Sequence, residues 1–451
     1  MIRDLFGGEY LPSTDNAWLR MDDRTNRMVV TGVISFEEPL SYDDLKERFE
    51  ERLLLFDRFR QRLVEPWHGF RPRWEADPLF DIDNHLTHVA LPEPGGEQEL
   101  QRFVGDTMGE PLDRDKPLWH CWLVEGGGSG NALVVRIHHA LADGFALLYV
   151  LFSLADDPDA IELPFGELPP LPGTDSGASD RSAETDRGSD VSGRGESLLR
   201  GAKATAEALE SFPAHREPLT PLRGKPGASK TAVWTRTYPL DAVKSTARPY
   251  NATVNDVLMA ATAGAYRRYI ESQGHGVPES LELTTTMPIN LKPLQKRDEQ
   301  LGNYFGLGFV ELPVGKKELS DRVSAIKSRT GELKQGTEAY TMYSLLTAVG
   351  SMPDAVQNNA SKAFRRRVTS VVTNVPGPLD TVEIAGKEVD DITFWAPTTE
   401  DIGLGVSIFS YDGGVRIGVA TDDKVVAEPD LLADAFDDEL SEILGTEPTH
   451  D

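Results

Sequence analysis

The chain runs to 451 residues, long for a single ordinary core, so two domains are the expectation. Its 73 acidic and 46 basic residues leave a net charge of −27, a surface that repels nucleic acid and anionic lipid at long range. A lone cysteine, Cys121, excludes an internal disulfide framework, in keeping with a reducing cytoplasm, and no apolar run of about 18 residues predicts a membrane span. The opening MIRDLFGGEYLP lacks the long apolar stretch of a signal peptide.

In chain order, NRMVVTGVISF reads as a strand, and SYDDLKERFEERLLL as a helix entered at a serine cap. EQELQRFVGDTMG is a second helix, LWHCWLVEG and NALVVRI are strands, and DGFALLYVLFSLA is a helix apolar nearly all round. From about residue 156 to 230 composition shifts to Pro, Gly, Ser and charge, and DSGASDRSAETDRGSDVSGRGE has little to bury. Within that linker, ESLLRGAKATAEALESF has helical spacing and fits either a docked helix or a lipid-surface helix. Alternation then resumes: KTAVWTRTYPL as strand, TVNDVLMAATAGAYRRYIES as a long capped helix, LELTTTMPIN as strand, ELSDRVSAIKSRTGELKQ as helix, RVTSVVTNV as strand. GLGVSIFSYDGGVRIGVATD is a hairpin turning at Asp412-Gly413-Gly414, and EPDLLADAFDDELSEIL is a closing helix. The expected organisation is a first domain over 1–165, a linker over 166–229 and a second domain over 230–451.

The segment IHHALADG sets His138 and His139 between a strand and a helix, with Asp143 at the helix cap and Gly144 after it. Strand ends in α/β domains are where side chains reach a cleft. Three readings of the pair are open. One is a packed core histidine beside a turn residue. A second is metal, for which adjacent strand-end residues diverge and no His-Glu-x-x-His spacing is present; His85 and His88 are a further loose candidate. The third is a general base, since a neutral imidazole takes a proton near pH 7. No Gly-x-Ser-x-Gly is present, and Cys121 sits in an apolar strand pattern typical of an inert thiol, so such a base would activate the acceptor directly.

His138-His139-x-x-x-Asp143-Gly144 resembles the HHxxxDG signature of the coenzyme A-dependent acyltransferase superfamily. Pro117-Leu118-Trp119, Val254-Asn255-Asp256 and the stretch Asn374 to Pro378 (NVPGP) resemble, in order, motifs of bacterial wax ester synthase/diacylglycerol acyltransferases. STDNAWLRMDD and the late hairpin are similar too, so the resemblance spans nearly the whole chain outside the linker. It implies an α/β fold of two chloramphenicol acetyltransferase-like domains, with mixed sheets flanked by helices and a tunnel between them.

The resemblance further implies transfer of a long-chain acyl group from acyl-CoA to diacylglycerol or a fatty alcohol, without metal or cofactor. His139 would be the general base and His138 its support. Asp143 would be structural, paired with an arginine, beside Gly144. Asn255, Asp256 and Asn374 would lie near the tunnel, with helix capping and turn stabilisation as their plain alternatives. Pro117, Leu118 and Trp119 would pack along it, and Trp119, Phe145, Leu147 and Leu148 fit an apolar lining or plain core. Arg268, Lys292, Lys296 and Arg297 are the candidate cations to meet anionic coenzyme A, with a solvated helix end or loop as their plain alternative. A cytoplasmic protein touching membranes or lipid droplets only peripherally is expected. Alternative outcomes are acylation of a small polar alcohol or amine, or a weakly active lipid-binding relative.

Overall fold

A computed structural model gives the fold; it describes residues 9–65, 71–128, 130–169, 172, 217–291, 301–336, 338–350, 367–398 and 402–446. Two mixed sheets dominate the described residues. The first has six strands in the order Glu383–Ile384, Lys387–Trp395, Val29–Phe36, Asn131–His138, Trp119–Glu125, Leu86–Ala90. The second runs Lys230–Trp234, Gly414–Asp422, Leu404–Tyr411, Ser370–Pro376, Leu283–Asn290, Phe305–Leu312, with Tyr238–Pro239 also paired to Gly414–Asp422. The resulting architecture is the helix-flanked mixed α/β arrangement expected from the sequence.

The near-continuous apolar run of Asn131–His138 suits a central strand covered on both faces. On one face, helix Gly144–Phe152 and helix Tyr42–Glu51 enclose the main apolar core of this sheet, with Phe49, Trp119, Ile137 and Leu148 inside it. On the other, helix Glu97–Gly109 packs Leu100 and Val104 against Val33, Val134 and Trp395. The second sheet is covered by helices Val254–Ser272, Leu319–Gln335 and Pro429–Leu444.

One strand breaks the two-part division of the chain. Lys387–Trp395 belongs by sequence to the second half, yet it pairs antiparallel with Val29–Phe36 of the first sheet, Ile392 opposite Ile34. This crossover strand ties the halves together, and the sequence reading left it unassigned. The strands Leu86–Ala90 and Phe305–Leu312 and the helices Ser13–Met21 and Glu338–Gly350 were likewise unassigned. The helix expected within the linker lies outside the described residues. The late hairpin turns as predicted, but its two-residue loop is Asp412-Gly413, both at positive φ (43° and 70°), with Gly414 already paired to Tyr411.

Candidate active site

The two histidines diverge because the chain leaves the sheet between them. His138 is the last ladder residue, opposite Val29, and the His139 N–H still donates to the Met28 carbonyl at 2.7 Å. The chain then turns, Leu141 N–H returning to the His138 carbonyl at 3.0 Å, and Asp143 opens the helix by accepting from Ala146 N–H at 3.0 Å.

The buried ring of His138 is an anchor. Its Nδ1 accepts from Ala140 N–H at 3.0 Å, which in the neutral ring puts the proton on Nε2. Nε2 stands 3.7 Å from Asp22, an ion-pair separation longer than a hydrogen bond. Burial lowers the His138 pKa. Burial alone would raise the Asp22 carboxyl, but His138 and Arg114 outweigh it and hold the group at about 2. Arg114 Nη2 donates to Asp22 at 3.0 Å.

His139 lies among aromatic rings. Trp18 stacks on the imidazole at 4.8 Å and 22°, Phe305 meets it at 5.4 Å and 41°, and Trp18 and Phe305 stack on each other at 5.4 Å. The residue is 6% exposed. Burial drives the imidazole down to about 4, against the opposing charge of Asp143, so the ring is neutral at pH 7. Its Nδ1 is buried with no hydrogen-bond partner among the described residues.

A loop from the second half closes over the motif. The Gly302 carbonyl accepts from Asp143 N–H at 3.2 Å, Tyr304 N–H donates to Asp143 Oδ2 at 2.8 Å, and Asn303 Nδ2 donates to the His139 carbonyl at 2.8 Å. Close packing brings helix Glu338–Gly350 onto the strand that follows. A Cβ at Gly306 would stand 1.9 Å from the Ala339 carbonyl, which only glycine avoids.

Beyond Gly144 lies an apolar cavity of about 100 Å³ between the first sheet and helix Gly144–Phe152. Its walls include Trp119, Leu147 and Leu148, the crossover residues Ile392 and Phe394, and Phe409 from the second sheet. Gly144 and Gly32 also face it, while the imidazole of His139 is not in the lining.

A profile of the wax ester synthase/diacylglycerol acyltransferase catalytic domain matches residues 11–258, and one of the WS/DGAT C-terminal domain matches 301–444. The chain belongs to the wax ester synthase/diacylglycerol acyltransferase family. A Mycobacterium tuberculosis protein named a probable diacylglycerol O-acyltransferase is 28% identical, with 96% of each chain covered. A second protein of that species bearing the same enzyme name is 30% identical over 90% of this chain and 89% of its own. In fold, the wax ester synthase/diacylglycerol acyltransferase of Marinobacter aquaeolei superposes with a TM-score of 0.70 at 23% identity, covering 96% of this chain and 98% of that one. The first condensation domain of the calcium-dependent antibiotic synthetase follows at 0.62 and 16%, covering 98% of each chain. The chain is thus an acyltransferase, as the HHxxxDG resemblance implied.

The remaining motif residues of this acyltransferase fall around the histidine strand. Leu118 accepts His138 N–H on its carbonyl at 2.9 Å. Trp119 donates Nε1–H to the Phe59 carbonyl at 2.9 Å and stacks on His85 at 4.6 Å. Pro117 is buried beside them. Asp256 is taken up by helix capping: its carboxylate accepts from Thr253 N–H at 2.8 Å and from the Thr330 hydroxyl at 2.8 Å. Asn255 accepts from Asn374 Nδ2 at 3.0 Å, joining two motifs that sequence leaves 119 residues apart.

Among the expected coenzyme A cations, Arg268 is already engaged by Glu439 at 2.8 Å and by Glu442. That pairing commits Arg268 to acidic partners of its own chain, and Lys292, Lys296 and Arg297 lie outside the described residues. His85 is buried with Nδ1 on the Trp119 carbonyl at 2.8 Å, and His88 pairs with Glu125 at 2.9 Å, so the two point to different partners. Phe145 meets Phe165 edge-on at 5.3 Å. Burial pushes the Cys121 thiol up, which keeps it protonated. Sequence reasoning missed Trp18, Asp15, Asn303 and Phe305. STDNAWLRMDD was noticed as a similar stretch, but nothing in it signals contact with residue 139.

Proposed function

We propose that the chain transfers a long-chain acyl group from acyl-CoA to the hydroxyl of diacylglycerol or of a fatty alcohol, with His139 as general base. The observation that supports this most is a neutral imidazole held at the seam between the two sheets, in a motif whose Gly144 lines an apolar cavity. One ring nitrogen takes the hydroxyl proton as the oxygen bonds to the thioester carbon. Collapse of the tetrahedral intermediate breaks the C–S bond, and the imidazolium returns the proton to the departing thiolate. His138 supports the loop, Asp143 fixes it, and Gly144 borders the cavity. A lining of aliphatic and aromatic side chains suits an alkyl chain.

The reading needs no metal or prosthetic group, acyl-CoA entering as substrate. Its acceptors reside in bilayers or lipid droplets. Among the described residues no helix is long and apolar enough to cross a membrane. We infer a cytoplasmic protein that meets such surfaces peripherally. Its net charge of −27 favours zwitterionic or neutral lipid.

Purified protein given palmitoyl-CoA with dioleoylglycerol or hexadecanol should form the labelled ester, and His139→Ala should fold but not turn over. Ester from neither acceptor, product only with small polar alcohols or amines, or full turnover by His139→Ala would overturn the reading. Recovery with floated phosphatidylcholine liposomes or triacylglycerol droplets tests the peripheral contact.

A further inference from the structure

Asp15 is a carboxylate only 2% exposed, on helix Ser13–Met21, one turn before Trp18. Its Oδ1 accepts from Asn303 Nδ2 at 2.9 Å and from the Thr14 hydroxyl at 3.3 Å. The same amide nitrogen donates to the His139 carbonyl at 2.8 Å. Asn303 therefore uses both amide hydrogens on acceptors, and its amide cannot flip without setting oxygen against oxygen. The flip state turns Asn303 Oδ1 away, where it is buried with no partner among the described residues. His139 Nδ1 is a second buried orphan, and the Asn303 side chain is among the groups that favour a proton on that ring.

We propose that Asp15 is a positioning residue for acyl transfer: by fixing the amide of Asn303, which also grips the His139 carbonyl, it sets where the imidazole stands. This rests on His139 being the base. Neither residue touches the acyl carbon.

The charges that face Asp15 come from several elements. Arg58, from the turn Asp57–Arg60, favours the carboxylate but is itself held by Glu9 at 2.7 Å and by Gln61 at 3.1 Å. Tyr343, on helix Glu338–Gly350, feels both Asp15 and Asp143, which together with burial raise its phenol. His139 and Asp143 complete the set. Burial outweighs the hydrogen bonds and Arg58, raising Asp15 to about 7. Protonated, it no longer demands an N–H from Asn303, so the lock loosens as pH falls through neutrality.

Asp15→Leu should lower kcat on the order of 30-fold with the acyl-CoA KM within about twofold. Asp15→Asn still offers an amide oxygen to Asn303, so kcat at pH 8 should fall less than about fivefold and lose its rise between pH 6 and 8. Asn303→Ala should match Asp15→Leu, and the double variant should be no slower than either single one, since both break one relay. Wild-type kcat in a folded Asp15→Leu, a neutral-pH limb persisting in Asp15→Asn, or multiplying effects in the double variant would each overturn the proposal. His139→Ala separates the two readings: if it retains turnover, the base assignment fails whatever Asp15 does.

Discussion

Asp143 and Tyr304 stand 161 residues apart in the chain, yet the Tyr304 N–H donates to the Asp143 carboxylate at 2.8 Å. The other carboxylate oxygen caps helix Gly144–Phe152. One side chain thus starts the helix that walls the cavity and holds the second-half loop carrying Asn303. The histidine loop belongs to neither half alone, which suits the proposed transfer, in which both substrates would meet at one ring.

Asp143→Ala removes both acceptors, a cap worth about 1 kcal/mol and a charge-assisted bond worth about 1.5–3. The variant should lose on the order of 3 kcal/mol of stability, together with most of its turnover. Denaturant midpoints compared with those of His139→Ala check this. Equal midpoints for the two variants would show that the clasp carries no stability.

Trp18 shields the imidazole, and burial is the largest cause of its depressed pKa of about 4. A depressed histidine stays neutral, as the proposed base role requires, well below its ordinary value. Trp18→Ala admits water and should raise the ring toward ~6.5, leaving roughly a quarter neutral at pH 6. Titration of the ring by NMR measures it, and a value still near 4 would contradict shielding by Trp18.

Local signals in the sequence were legible where one element carried them. The Asp143 cap, the long helix after Thr253 and the Asp412-Gly413 turn each depend on neighbouring residues. The crossover strand was not legible, because KEVDDITFW interrupts its apolar pattern with charge and pairs 350-odd positions away, Val389 with Phe36. Asn303 was missed for the same reason: its partners Asp15 and His139 are set by tertiary packing. The motif histidines could be named but not distinguished physically until His138 was seen bound to Ala140 and His139 stacked on Trp18.

Gly32 faces the cavity from the middle of its strand, and an added Cβ would meet Thr393 and Phe394 only at 3.7 and 3.9 Å, ordinary contact. Gly32→Val should therefore fold while filling part of the space. The ratio of kcat/KM for palmitoyl-CoA over octanoyl-CoA should fall about tenfold, as expected for one or two displaced methylenes. An unchanged ratio would place the acyl chain elsewhere.

Arg268 spends its guanidinium on Glu439 and Glu442, and Glu439 also takes Arg322. Arg268→Gln should leave the acyl-CoA KM within about twofold while costing roughly 1–2 kcal/mol of stability, since Glu439 is buried and keeps only one cation. Steady-state kinetics beside a melting curve distinguish this from a coenzyme A contact, for which KM would rise steeply.

Asp15 gives a stability prediction of opposite sign to its effect on rate. Its folded pKa of about 7 lies above the ordinary 3.8, so between those values the native state binds more protons than the unfolded chain. Stability from this group is complete below about pH 4 and is lost as pH rises through 7. The shift of about 3 units corresponds to on the order of 4 kcal/mol of strain from the buried charge at pH 8. Asp15→Asn removes the charge while keeping the shape, so it should melt higher than the wild type at pH 8, with the gap narrowing as pH falls and closing only below about pH 4, even as it turns over more slowly. A lower melting point at pH 8 would mean that the carboxylate is compensated in the native state, and the buried-charge account would fail.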